Sequence, residues 1–150
     1  MYGDHCLKTS STVQGPIGLS SGEGEFYACV RGGCYLLGIK SLFEDWGLEI
    51  PAALQIQTDS SAAQGFCTRR GLGQQRHVST RYLWLQDQIS KGDLKVRKVL
   101  TKDQLADFLT KAMTQKVSHD LAQRIGLRYL DGRSLSQKGA LLNDFYSNQP

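Results

Sequence analysis

The feature that most restricts the fold is a change of hydrophobic period early in the chain. Apolar residues recur at helical spacing from Phe26 to Trp46, and Ser20 or Ser21 can cap the start of this helix. Gly47 can end it. Residues 53–58 then alternate between apolar and polar types, as a half-buried strand does. A long helix followed by a short strand predicts an α/β fold.

The same alternation of periods continues beyond this strand. The predicted elements are, in order, a short helix opened by Asp59, Ser60 and Ser61, a helix over about residues 75–90, a strand over 94–100, a helix capped by Thr101 and running to Leu109, and an amphipathic segment over 117–127. Residues 1–19 are predicted to form short extended segments with turns. Gly32 and Gly33 predict a kink in the long helix, because an interior glycine costs about 1 kcal/mol relative to alanine.

Length and composition favour a single domain. The chain has 150 residues, of which 40% are hydrophobic, and this is enough for one compact core. We expect residues 1–127 to form that domain and residues 128–150, which have no clear period, to form a flexible tail. No apolar run suits a membrane span and no signal peptide is present, so we expect an intracellular protein without membrane contact.

The cysteines do not indicate a metal site. Cys6, Cys29, Cys34 and Cys67 fall at irregular spacings, with no CxxC pair and no histidine pair nearby. A domain of this size builds a core without cross-links, so reduced thiols are expected.

Charge is distributed unevenly along the chain. Residues 1–64 carry three Lys or Arg against seven acids, whereas residues 65–102 carry nine Lys or Arg against two acids. A basic cluster of this kind can follow a phosphate backbone, and it is equally compatible with an ordinary solvated face.

Four segments, in one order, carry a resemblance to the ribonuclease H domain of Ty1/copia-type retrotransposon Pol polyproteins, which also contain a reverse transcriptase. Leu19–Ala28 is similar to the family's LSSTEAEYxA, Gln57–Ala63 to its CDNxSA, Arg76–Tyr82 to its KHIDIRY, and Val99–Lys111 to its VPTKDQLADxLTK. The resemblance implies a ribonuclease H-like fold, a mixed sheet flanked by helices. It also implies an endonuclease that cleaves the RNA strand of RNA/DNA hybrids.

That chemistry depends on acids. Two Mg²⁺ or Mn²⁺ ions activate the attacking water and stabilise the leaving oxygen, and such cations prefer oxygen ligands. Carried over by motif, Glu25, Asp59 and Asp107 are the implied catalytic and metal-binding residues. Glu25 is preferred to Glu23 because the family's acid directly precedes an aromatic residue, here Phe26. Glu23 is then a partner of the helix dipole.

Further residues are candidates for contact with the nucleic acid. Arg69, Arg70, Arg76 and Lys98 are predicted to hold phosphates. His77 lies in the third motif and is a possible auxiliary catalytic residue, although a packing or capping role is the simpler interpretation. Without the resemblance, Asp59 would be interpreted as a helix cap and Asp107 as a surface charge.

The sequence also departs from the family pattern. The family's first metal-binding aspartate lies on an edge-forming first strand, in a DADWAG-like segment upstream of the motifs found here, and only the later hairpin is expected at positions 1–18. Asp4, in the turn of that hairpin, is a poor substitute because it would bond its own backbone. We therefore expect an N-terminally truncated domain that is inactive alone. The alternatives are a non-catalytic nucleic-acid-binding remnant and a relic without function.

Overall fold

The computed structural model describes residues 1–3, 5–50 and 53–127. Asp4 and the predicted tail over 128–150 lie outside this range. The chain divides into two compact units, one formed by Thr12–Gln104 and the other by Met1–Ser11 with the described residues from Leu105 onward. The described residues form four α-helices and two parallel strands, so the predicted α/β class is confirmed.

Helix α1, Ser21–Asp45, is the longest element of the larger unit. The Ser20 hydroxyl caps it by accepting a hydrogen bond from the Glu23 amide at 3.2 Å, as the sequence predicts. The helix ends at Trp46, and Gly47 follows with a φ of +71°. It runs without interruption through Gly32 and Gly33.

Close packing explains the second of these glycines. A Cβ added to Gly33 would lie 2.9 Å from Leu85 Cδ1 and 3.3 Å from Leu94 Cδ1, whereas one added to Gly32 would meet nothing within 4 Å. Gly33 therefore lets α1 pack closely on Leu85 and Leu94. At Gly32 no steric contact requires glycine.

The two strands and the segment between them form a parallel crossover. Strand β1, Leu54–Thr58, pairs with β2, Leu94–Lys98, in the register Leu54 to Leu94 through Thr58 to Lys98. Helix α2, Ser61–Thr68, and helix α3, Trp84–Lys91, lie between them in the chain. Parallel strands require such a crossover. As a result, the carboxyl ends of both strands lie at the same edge of the sheet.

The core of this unit lies where α1 packs against α2 and β1. Phe26 and Phe66 stack with ring centroids 4.0 Å apart. Leu85 and Leu94 are fully buried. The other buried apolar side chains of the cluster are Tyr27, Cys29, Val30, Ile56, Ala63, Cys67 and Val78.

The smaller unit has less regular structure. It contains a 3₁₀ helix, Leu105–Leu109, and helix α4, Gln115–Arg124, where Leu121 and Ile125 are buried. Tyr2 and His5 form an isolated bridge through two backbone hydrogen bonds, of 2.8 and 3.0 Å. This antiparallel bridge flanks the predicted turn, and among the described residues of 1–19 it is the sole pairing, so no longer strands extend the expected hairpin.

Two predicted helices and one predicted cap differ from the structure. The helix expected from residue 75 begins with a 3₁₀ turn, Thr80–Leu83, and becomes α-helical at Trp84, because the Val78 amide bonds Gln75 in a turn instead. The helix expected over 101–109 is two 3₁₀ helices, Thr101–Asp103 and Leu105–Leu109, and Leu100 takes the cap position predicted for Thr101.

No helix in the described ranges has the length and apolar content needed to cross a membrane.

Candidate functional site

Two of the three predicted acids lie on elements that pack together. Glu25 is exposed on the first turns of α1, one turn before Cys29, and Asp59 directly follows β1. Helix α1 packs against β1 and α2. This packing brings together the helix that carries Glu25 and the strand that Asp59 follows.

The start of α2 leaves the Asp59 carboxylate out of the helix cap. Ser60 is the capping residue, and its hydroxyl accepts a hydrogen bond from the Ala63 amide at 3.1 Å. The Thr58 hydroxyl in turn accepts from the Ser60 amide at 3.2 Å. The capping role that the sequence alone would assign to Asp59 thus belongs to Ser60.

Lys98 lies at the same end of the sheet. It is the register partner of Thr58, and its Nζ donates to the Ser61 hydroxyl. One cation and one acid, Lys98 and Asp59, therefore flank the carboxyl ends of the two strands. This arrangement suits contact with a phosphodiester. The acid can bind a metal cation, and the positively charged lysine can bind the phosphate.

Asp107, the third predicted acid, belongs to the smaller unit. Its carboxylate forms an ion pair with Lys111 at 2.8 Å, and its side chain is 14% exposed. Across the described residues, no three His, Cys, Asp or Glu side chains form a group that could hold a metal ion. Carboxylate oxygens are the ligand type that Mg²⁺ prefers.

The acid next to the predicted one is the more deeply buried. Glu23 is 1% exposed and accepts three hydrogen bonds. Its Oε2 accepts from the Leu19 amide at 3.0 Å and from His77 Nε2 at 2.9 Å. Its Oε1 accepts from the Tyr27 hydroxyl at 2.7 Å. Glu23 thus ties the start of α1 to the segment that precedes α3.

These contacts shift two pKa values in opposite directions. Burial raises the pKa of Glu23, but the hydrogen bonds from Tyr27, His77 and the Leu19 amide outweigh it, so the pKa is lowered from its usual value. Burial, followed by the hydrogen bond to Glu23, raises the pKa of Tyr27 to about 12. Glu23 is therefore a carboxylate and Tyr27 a phenol at neutral pH.

Sequence reasoning assigned Glu23 only to the helix dipole and overlooked Tyr27. One signal was available: a serine cap followed three residues later by glutamate is the spacing of a capping box. Here the Glu23 side chain reaches the amide of Leu19, one residue before the cap. Tyr27, four residues further on, lies on the same helix face.

The predicted phosphate-binding arginines differ in their placement. Arg69 folds back on the protein, with its guanidinium carbon 4.0 Å from the Phe66 ring centroid. Its Nη2 donates to the Leu72 carbonyl at 2.6 Å and to Gln75 Oε1 at 3.1 Å. Arg70 and Arg76 are exposed. Arg69 is therefore engaged within the unit, whereas Arg70 and Arg76 face solvent.

The chain is similar to retrovirus-related Pol polyproteins from plant transposons. It is 29% identical over 126 residues, 83% of its length, to those from transposons RE1 and RE2 of Arabidopsis thaliana. It is 24% identical over 121 residues, 81% of its length, to that from transposon TNT 1-94 of Nicotiana tabacum. No protein-family model and no solved structure matches it.

The chain spans 9% of the length of each of these relatives. It is therefore a homologue of a short region of retrotransposon Pol polyproteins, and the predicted relationship is confirmed at that level. The ribonuclease H assignment within the polyprotein stays a prediction.

Proposed function

We propose that this chain is part of a ribonuclease H-like domain of a retrotransposon Pol polyprotein, which cleaves the RNA strand of RNA/DNA hybrids. The observation that supports it is the place of Asp59 directly after β1, at the edge of the sheet where Lys98 ends β2, with the helix that carries Glu25 packed against β1. Acids on different elements can supply the oxygen ligands of the cations that hydrolyse a phosphodiester. The similarity to Pol polyproteins supports the same proposal.

In this proposal the chain supplies only part of the metal site. Glu25 and Asp59 would hold a divalent cation, Mg²⁺ or Mn²⁺, with Asp107 as a further candidate ligand and with acid from elsewhere in the polyprotein. The bound cations would activate water and stabilise the leaving oxygen. Lys98 would hold the phosphate beside Asp59. The reverse transcriptase portion of the polyprotein is the partner that would deliver the hybrid.

Cleavage of a labelled RNA/DNA hybrid with Mg²⁺ or Mn²⁺ tests the proposal. The assay compares this chain with a chain extended by its own upstream reading frame. We expect cleavage by the extended chain and little or none by the chain alone, because a site with few acids holds a pair of divalent cations weakly. Asp59→Asn and Glu25→Gln in the extended chain should each abolish cleavage.

Two matched variants sharpen the result. Glu44→Gln removes an exposed acid from the far end of α1, where Glu44 pairs with Lys40, and should leave cleavage unchanged. Glu23→Gln separates the two glutamates of the first motif. If Glu23→Gln abolished metal-dependent cleavage and Glu25→Gln did not, the assignment of Glu25 would be wrong.

A non-catalytic nucleic-acid-binding protein is the second candidate. It is favoured by the basic segment over 65–102, where nine Lys or Arg stand against two acids. Hybrid binding without cleavage in the extended chain, whatever the metal, would support this candidate and overturn the nuclease.

A further inference from the structure

Helix α1 carries two apolar stripes, and one of them faces solvent. The core-facing stripe consists of Phe26, Val30, Gly33 and Leu37. The solvent-facing stripe consists of Tyr35, Ile39, Leu42 and the C-cap residue Trp46. At 100° per residue the second stripe lies on the opposite side of the helix, about 180° from the first. It keeps large apolar side chains in water, since Tyr35 is 37%, Leu42 45% and Trp46 63% exposed.

The spacing of the solvent-facing stripe is that of helices that pack side by side. Its residues follow one another at intervals of four, three and four, as the seam residues of a coiled coil do. The Trp46 amide still donates to the Leu42 carbonyl at 3.2 Å, so helical geometry holds to the end of the stripe. The stripe covers three turns, about 16 Å. A contiguous exposed apolar stripe of this kind indicates an interface with one further helix.

Two glycines on this side of α1 support the close approach of such a helix. Gly32 continues the stripe one step towards the N-terminus, and Gly38 lies next to Ile39. Glycine in a helix interior is unfavourable relative to alanine. A Cβ added at either position would meet no atom of the described residues within 4 Å, so packing inside the chain does not require glycine there. The approach of a second helix backbone accounts for both.

The order of side chains indicates that the partner is a second copy of this chain. In either direction the solvent-facing stripe runs aromatic, aliphatic, aliphatic, aromatic at the same spacings. An antiparallel copy, related by a two-fold axis between residues 40 and 41, therefore places Ile39 of one protomer opposite the partner's Leu42. The same axis places Tyr35 opposite the partner's Trp46, and each contact occurs twice, as in an isologous interface. The stripe is complementary to itself.

The charges beside the stripe favour the antiparallel arrangement. Arg31 and Asp45 are exposed on the same flank, one before the stripe and one near its end. Arg31 also donates to the Thr12 hydroxyl. In an antiparallel pair the cation of one protomer lies towards the acid of its partner, whereas in a parallel pair like charges lie side by side. Charge therefore disfavours the parallel pair.

We propose that this chain forms an antiparallel homodimer through the solvent-facing stripe of α1. The interface lies on the side of the helix away from the core, so the packing of α1 on α2 and β1 is the same in monomer and dimer. Because the stripe is only three turns long, we expect a weak dimer with a dissociation constant of about 10–100 µM.

Sedimentation velocity of this chain, without nucleic acid or metal ions, tests the dimer independently of any nuclease activity. Reducing agent is present so that the exposed Cys34 does not form a disulfide between chains. Between about 1 and 500 µM the average mass should rise from that of one chain towards that of two. The mass of a single chain throughout this range, or growth beyond two chains, overturns the proposal.

Two charge variants at the centre of the stripe test its geometry. Ile39→Glu and Leu42→Lys each place an unpaired charge against an apolar side chain, so each should raise the dissociation constant at least about tenfold. An equimolar mixture of the two variants should dimerise to within about threefold of the unaltered chain. In the mixed pair the introduced acid faces the introduced lysine, and the remaining leucine faces the remaining isoleucine.

Rescue in the mixture is specific to the antiparallel pair, since a parallel pair would leave each charge against an apolar side chain. A rescued mixture also shows that both variants are folded. No rescue overturns the antiparallel dimer. Ser41→Glu is the matched control, because it adds an acid to an exposed position of the same helix outside the stripe. It should leave the dissociation constant within about twofold of the unaltered value. A tenfold loss in this control would mean that the stripe is not the interface.

Discussion

Two glutamates lie two residues apart on α1, and the structure treats them in opposite ways. Glu23 is 1% exposed and accepts hydrogen bonds from an amide, a phenol and an imidazole. Glu25 is exposed, one helical turn before Cys29 on the same helix. The flank of α1 that carries Glu23 is buried and hydrogen-bonded, and we call it the closed flank. The flank that carries Glu25 is exposed to solvent.

The difference is one of position rather than residue type. A buried carboxylate is tolerated when donors satisfy it, and Glu23 has them on both oxygens. An exposed carboxylate stays hydrated and costs little to keep. The flank of Glu23 therefore contributes stability, and the flank of Glu25 is the one on which the proposed chemistry depends, which predicts separable effects of mutation.

The largest effect is expected from truncating the closed flank. Glu23→Ala leaves the Leu19 amide, the Tyr27 hydroxyl and the His77 ring without their acceptor. Hydrogen bonds to charged groups are strong, so the free energy of unfolding should fall by about 2–4 kcal/mol. Glu25→Ala, the matched variant, should change it by less than about 0.5 kcal/mol. Urea denaturation measures the free energy of unfolding of both variants. Equal losses would mean that the two flanks do not differ in their contribution to stability.

The next effect concerns how closely α1 packs on the rest of its unit. Gly32→Ala adds a Cβ that meets nothing, so it should stabilise by about 0.5–1 kcal/mol through helix propensity. Gly33→Ala adds a Cβ only 2.9 Å from Leu85 Cδ1, so packing strain should offset that gain.

Thermal unfolding of the two alanine variants measures the difference. We expect Gly33→Ala to be less stable than Gly32→Ala by about 1–2 kcal/mol. Equal stability would mean that Leu85 and Leu94 move aside freely, and that the close approach of α1 contributes little.

A similar difference is expected between Arg69, which bonds within its unit, and Arg76, which is exposed. Arg69→Ala removes the stacking on Phe66 and the hydrogen bonds to Leu72 and Gln75, so it should destabilise the unit by about 1 kcal/mol. Arg76→Ala should change stability by less than about 0.5 kcal/mol and weaken hybrid binding instead. A loss of binding in Arg69→Ala that exceeds the loss in Arg76→Ala would contradict this division.

The spacing of apolar residues predicts a helix or strand correctly where the buried side chains belong to that helix or strand. The start of α1, its end before Gly47, the strand near residues 54–58 and the serine-opened α2 all follow from short-range signals. Residues 75–79 mislead because Val78 shares the helical spacing of the segment but is buried in a turn. The spacing of apolar residues does not distinguish a helix from a turn whose side chain points inward.

The candidate site was predictable only in part, for a related reason. Glu25 and Asp59 could be named from motif order, but the packing of α1 on β1 that brings their elements together could not. The role of Glu23 depends in part on His77, which lies 54 residues away in the sequence. Such partners carry no signal in the local sequence.

The smallest effect is the pH dependence of the closed flank. Because hydrogen bonding lowers the pKa of Glu23 in the folded protein, its contribution to stability is present above the pKa of an unfolded glutamate, about 4.3. That contribution is lost as the pH falls through the lower folded value. Urea midpoints of the unaltered chain and of Glu23→Gln, followed from neutral pH into this acid range, should therefore converge. Parallel profiles would mean that the pKa of Glu23 is the same in the folded and the unfolded protein, and that its three hydrogen bonds do not favour the charged form.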